Sequence, residues 1–93
     1  MFQAIAIHHA RPEHADEFVG FMHRVIEATE GAPGLIEFSA WRDANDQGRL
    51  FGFSRWESQE AFMQAMPRIM SLAHERREEW SSRPDEVITM VTA

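Results

Sequence analysis

Residues 35–56 read Leu-Ile-Glu-Phe-Ser-Ala-Trp-Arg-Asp-Ala-Asn-Asp-Gln-Gly-Arg-Leu-Phe-Gly-Phe-Ser-Arg-Trp. Two apolar and aromatic runs, 35–42 and 49–56, flank a stretch of turn-forming polar residues, Asp43 to Gly48. The pattern predicts a β-hairpin with a loop slightly longer than the tightest types. Side chains alternate across a strand, so Leu50, Gly52, Ser54 and Trp56 share one face and Phe51, Phe53 and Arg55 the other. In the preceding strand, Ile36, Phe38 and Ala40 oppose Leu35, Glu37, Ser39 and Trp41.

Working outward from the hairpin, Pro33-Gly34 turns the chain and Gly31 stops a helix. That helix shows in Ala15, Phe18, Val19, Met22, Val25, Ile26 and Thr29, spaced by threes and fours. Pro12 suits its first position, and Glu13, Asp16 and Glu17 favour the positive end of its dipole. Residues 2–8, Phe-Gln-Ala-Ile-Ala-Ile-His, form a first strand. Downstream, Ser58 is an N-cap for a second stripe of Phe62, Ala65, Met66, Ile69, Leu72, Ala73 and Trp80. Pro67 interrupts it, which predicts a short helix to about Met66 and then a kink or restart. Arg83-Pro84-Asp85 ends the helical region, and residues 87–92 make a last strand.

The element order is β-α-β-β-α-β, so residues 1–93 are read as a single α+β domain with the ferredoxin-like arrangement. The expected sheet has the first and third strands adjacent and parallel at its centre, with both helices on one face. Two helices cover one face only, yet apolar residues project from both. An open face carrying Ile5, Ile7, Ile36, Phe38, Phe51 and Phe53 would be an apolar patch larger than monomers commonly expose. Packing two such sheets face to face buries it, which predicts a homodimer.

Composition narrows the function classes. The chain has no cysteine, so disulfides, thiolate nucleophiles and Cys-ligated zinc are excluded. It has no tyrosine and therefore no phenol to donate a proton. A formal net charge of −6 disfavours nucleic-acid binding. No apolar run reaches the roughly 20 residues of a membrane span, and no signal-peptide pattern opens the chain. The expectation is a cytoplasmic protein with neither nucleic acid nor membrane as partner.

Pro33-Gly34 and the segment Arg55-Trp56-Glu57-Ser58-Gln59-Glu60-Ala61-Phe62 resemble the antibiotic-biosynthesis-monooxygenase family. The resemblance covers nearly the whole chain in element order and implies a dimeric α+β barrel. Members include quinol and anthrone monooxygenases, haem-degrading enzymes and proteins of other roles, so the fold leaves the reaction open. Trp56 matches the tryptophan that lines the pocket of polyketide-oxidising members. Their asparagine four residues earlier falls at Gly52, and their tyrosine six residues later at Phe62, so neither is retained. Arg76 is matched to an arginine of their second helix. His74 is matched to the axial histidine of the haem-degrading members. Their tryptophan near Ala65 or Met66 and their asparagine near Gln3 or Ile5 are absent.

The residues themselves suggest a pocket. Gly52, Ser54, Ala4 and Ala6 are small and leave volume beneath the helices, which Trp56, Phe62, Phe18 and Met66 would wall. The plainer alternative is that Trp56 is core, since a buried indole carries much apolar area. His8 and His9 end the first strand, and the expected parallel pairing puts His8 at the same end of the sheet as Trp56. An imidazole there can accept a substrate proton. His74 can face the pocket as a base or ligand, or bond a backbone carbonyl. Arg76 can pair a substrate oxygen or lie on a solvated face with Glu75, Glu78 and Glu79. His23 and Glu27 supply too few ligands for a metal site, so none is expected.

Two functions follow. As implied by the family it resembles, the chain would oxygenate a small aromatic hydroquinone, anthrone or polyketide without flavin, metal or haem, with His8 or His74 as base, Arg76 as donor and Trp56 stacked on the ring. Alternatively it is a non-catalytic dimer of the same fold that binds a small aromatic molecule or assists a pathway. A minor variant binds or degrades haem through His74.

Overall fold

The computed structural model describes residues 1–93. β1 (Phe2–Ala10) leads through a single 3₁₀ turn into α1 (Ala15–Thr29). The hairpin β2 (Leu35–Asp43) and β3 (Asp46–Trp56) follows, then α2 (Gln59–Met70), two short 3₁₀ turns, and β4 (Ser81–Val91). The four strands form one sheet in the order β2-β3-β1-β4. This is the ferredoxin-like α+β fold read from the hairpin and its flanks.

Local chemistry fixes the joints. Gly34 has φ +80°, and a Cβ on it would sit 2.6 Å from that of Ala61, so only glycine fits this turn beneath α2. Its carbonyl accepts from the Glu57 amide at 2.8 Å, tying the end of β3 to the start of β2. Ser58 caps α2, its hydroxyl accepting from the Ala61 amide at 3.1 Å.

Four expectations are corrected. First, β1 pairs with β3 antiparallel, not parallel. A crossover through α1 leaves β2 parallel to β1, and the hairpin then reverses β3, so the strand inserted between them opposes both. His8 pairs with Leu50 while Trp56 pairs with Phe2, so His8 lies six residues of strand, roughly 20 Å, from Trp56. Second, a register shift between Leu35 and Glu37 puts Phe38 opposite Ser54 and Ala40 opposite Gly52. Phe38 and Ala40 therefore pack on the helix side. Third, α2 runs through Pro67 to Met70. Pro67 and Met63 are both exposed, so water can satisfy the carbonyl that proline leaves without a donor. Fourth, β4 begins at Ser81 and includes Arg83-Pro84-Asp85, while Trp80 ends a 3₁₀ turn instead of a long helix. Pro84 is tolerated because β4 is an edge strand with a register shift opposite His8.

The helix side holds two separate buried clusters. One contains Phe18, Phe21, Met22, Val25, Leu50 and Trp80. The other contains Phe2, Ala4, Ala32, Trp56 and Ala65, with Phe62 against it. Phe18, Leu50 and Trp56 are fully buried. Each such side chain contributes roughly 2–3 kcal/mol through removal from water. The other sheet face has no helical cover. It carries Ile5, Phe51, Phe53, Trp41, Ile88 and Met90, with Trp41 61% and Ile88 47% exposed. The Arg49 and Arg55 guanidinium carbons lie 5.1 Å and 5.7 Å from the ring centres of Phe51 and Phe53.

Candidate functional site

Between the two buried clusters the helix side of the sheet is lined by small residues. Ala6 of β1 stands opposite Gly52 of β3, which in turn stands opposite Ala40 of β2. A Cβ on Gly52 would lie 3.9 Å from Ala6 Cβ, 3.9 Å from Phe38 Cε1 and 4.0 Å from His8 Nε2. Ala6, Phe38, Gly52 and His8 are all only half-buried, although they lie at the middle of the layer. The helix side of the sheet is thinly covered at this point, with small residues beneath, Phe38 on one side and an imidazole nitrogen beside Gly52.

The imidazole is held from behind. His8 Nδ1 lies 3.1 Å from Asp85 Oδ1, with His8 13% exposed. The nitrogen is buried, and its direction misses hydrogen-bond alignment. Small misalignments of this kind are common before substrate binds. Arg76 Nη1 donates to Asp85 Oδ2 at 2.5 Å and Nη2 to Oδ1 at 2.7 Å, a bidentate clamp, and Nη2 also donates to Ser81 Oγ at 3.1 Å. Burial pushes the Asp85 carboxyl up, but the bonds from Arg76 and the adjoining His8 outweigh it and hold the group well below the usual carboxylate range. Phe18 packs beneath both partners, its ring centre 4.8 Å from that of His8 and 4.7 Å from the Arg76 guanidinium carbon.

The residues singled out from the sequence form two groups, with Gly52, Met66 and His74 outside both. Trp56 and Phe62 meet edge to face at 5.8 Å, with Phe62 also 5.1 Å from Phe2. Trp56 is fully buried there and its indole N–H has no partner. Phe18, His8 and Arg76 meet at the other end of the layer, and Gly52 lies between the groups. Met66 is half-buried on α2. His74 stands apart, exposed on the 3₁₀ turn Ala73–Glu75 beyond the end of α2. Arg76 faces inward, and both its terminal nitrogens are taken by Asp85 and Ser81.

Asp85 is the member that the sequence reading missed. It followed Arg83-Pro84 and read as the end of a helix. The available signal was an acidic residue placed to enter the last strand opposite a histidine that ends the first. On the opposite sheet face, His9 Nε2 lies 2.6 Å from Glu86 Oε2, a pairing that holds the Glu86 carboxyl below its ordinary value. No helix is long and apolar enough to cross a membrane.

Residues 1–67 match the profile of the antibiotic biosynthesis monooxygenase family. No curated protein is similar enough in sequence to match. Among solved structures, an antibiotic biosynthesis monooxygenase is 19% identical, with a TM-score of 0.83 over 100% of this chain and 99% of that one. Rv0793 from Mycobacterium tuberculosis is 20% identical, with a TM-score of 0.83 over 99% and 94%. A variant of SnoaB, a cofactor-independent oxygenase from Streptomyces nogalater, is 15% identical, with a TM-score of 0.82 over 98% and 91%. At these identities the likeness is one of fold.

Proposed function

Because this chain belongs to the antibiotic biosynthesis monooxygenase family, we propose that it oxygenates a small electron-rich aromatic substrate of the hydroquinone, anthrone or polyketide class without a bound cofactor. The observation that supports the reading is His8 Nε2 beside the small residues Gly52 and Ala6, which we read as the floor of a substrate cleft. A planar ring fits a floor of small residues beside Phe38. His8 then takes the substrate proton. For an anthrone-type CH₂, the carbanion gives an electron to dioxygen and recombination forms a peroxide anion. The imidazolium returns a proton, and loss of water leaves a carbonyl. One oxygen atom ends in product and the other in water. The protein's part is to orient the ring and exclude bulk water.

The test is oxygen uptake over a panel of hydroquinones and anthrones. His8→Gln is expected to lower kcat about 10²- to 10³-fold, while His74→Ala leaves it unchanged. Equal rates for wild type and His8→Gln would remove His8 from the reaction. One observation favours a binding module instead: three of the four terminal N–H groups of Arg76 are committed to Asp85 and Ser81, which turns its fork away from the role of oxyanion donor. Thermal stabilisation by an aromatic ligand with no oxygen uptake decides for that reading.

The homodimer is part of the same proposal. The uncovered face with Trp41, Ile88 and Met90 exposed is the surface on which a second copy would pack. Sedimentation at micromolar concentration is expected to give a dimer, and Ile88→Asp to shift it toward monomer. A folded wild-type monomer at that concentration would overturn it.

A further inference from the structure

We propose that Asp85 and Arg76 are positioning residues for His8, fixing its imidazole in the Nδ1–H tautomer so that the Nε2 lone pair points over Gly52 and Ala6. The proposal rests on the reading of His8 as the base. The geometry comes from three strands of observation that meet at one carboxylate. His8 Nδ1 is buried, and Asp85 Oδ1 lies 3.1 Å from it. A carboxylate accepts and cannot donate, so the nitrogen facing it is the one that carries the hydrogen.

Asp85 in turn has little freedom. Arg76 grips both of its oxygens, and Ser81 holds the Arg76 Nη2 from the side. A planar guanidinium matched to a carboxylate fixes direction as well as distance. Pairing of β1 with β4 runs Ile7 to Glu86 and then His9 to Arg83, so β4 has one residue more than β1 at this point. That local bulge sits at Pro84-Asp85, opposite His8. Bulges serve to re-aim side chains beside sites. The clamp is thus built from three separated parts of the chain: β1, the turn after α2, and β4. With Nδ1 turned to the carboxylate, Nε2 is the nitrogen left to accept a proton at the cleft.

The experiment is a multiple-bond ¹H–¹⁵N spectrum of the histidine rings in the full chain at pH 8. Wild type is expected to show His8 as the Nδ1–H tautomer. Asp85→Asn is expected to move it to Nε2–H or to a mixture, because the amide can present a donor to Nδ1. Arg76→Lys, which cannot grip both oxygens, gives a mixture, and it serves should Asp85→Asn fail to fold. On a substrate turned over by wild type, Asp85→Asn lowers kcat about 10²-fold with KM within twofold. A wild-type Nε2–H tautomer, or a tautomer unmoved in the variants, overturns the proposal. Loss of the base reading is told apart by its own signature: His8→Gln as active as wild type, with the tautomer still Nδ1–H.

Discussion

His8 and His9 are neighbours on β1, and Asp85 and Glu86 are neighbours on β4, yet the two histidine–carboxylate pairs face opposite sides of the sheet. The inner pair is shielded, with its carboxylate gripped by Arg76 and its imidazole packed on Phe18. The outer pair is shorter, 2.6 Å against 3.1 Å, but Glu86 is 60% exposed and carries no comparable clamp. Distance alone would rank the outer pair higher. Surroundings reverse the order: exposed pairs are weakened by water and by the freedom of long side chains, whereas a carboxylate fixed by a second partner defines a direction.

The largest expected contrast is catalytic. With a substrate that wild type oxygenates, His9→Gln is expected to keep kcat within twofold while His8→Gln loses about 10²- to 10³-fold. Similar losses in both variants would mean that the two faces are not functionally distinct. A smaller contrast concerns acid. Asp85 has a folded-state pKa below its unfolded value of about 4. Its contribution to stability is therefore complete above that value and is lost as pH falls below it. Asp85→Asn is expected to cost about 1–2 kcal/mol at neutral pH, reduced by partial exposure, with the gap from wild type narrowing progressively as pH falls below about 4. Thermal unfolding across that range checks it. Glu86→Gln is expected to make the smallest change, within roughly 2 °C of wild type at each pH.

The sequence carried the elements well because their signals are local. The Ser58 cap, the Pro33-Gly34 turn and the stripe through Phe18 and Met22 each depend on a few neighbouring residues, and each stands where expected. Trp56 on the helix face also followed from alternation along one strand. What local pattern does not hold is the pairing of strands. The direction of β3 against β1 separated His8 from Trp56, and one register shift near Ile36 moved Phe38 to the covered face. The cleft was legible in its small residues, Gly52 and Ala6. The partner of His8 was not, because Asp85 is separated from it by 77 residues and sits in a segment whose proline suggests an ending instead of a strand.

The division of the covered layer into two packed groups has an energetic consequence. Neither group shares a buried side chain with the other, so a truncation inside one removes no contact that holds the other together.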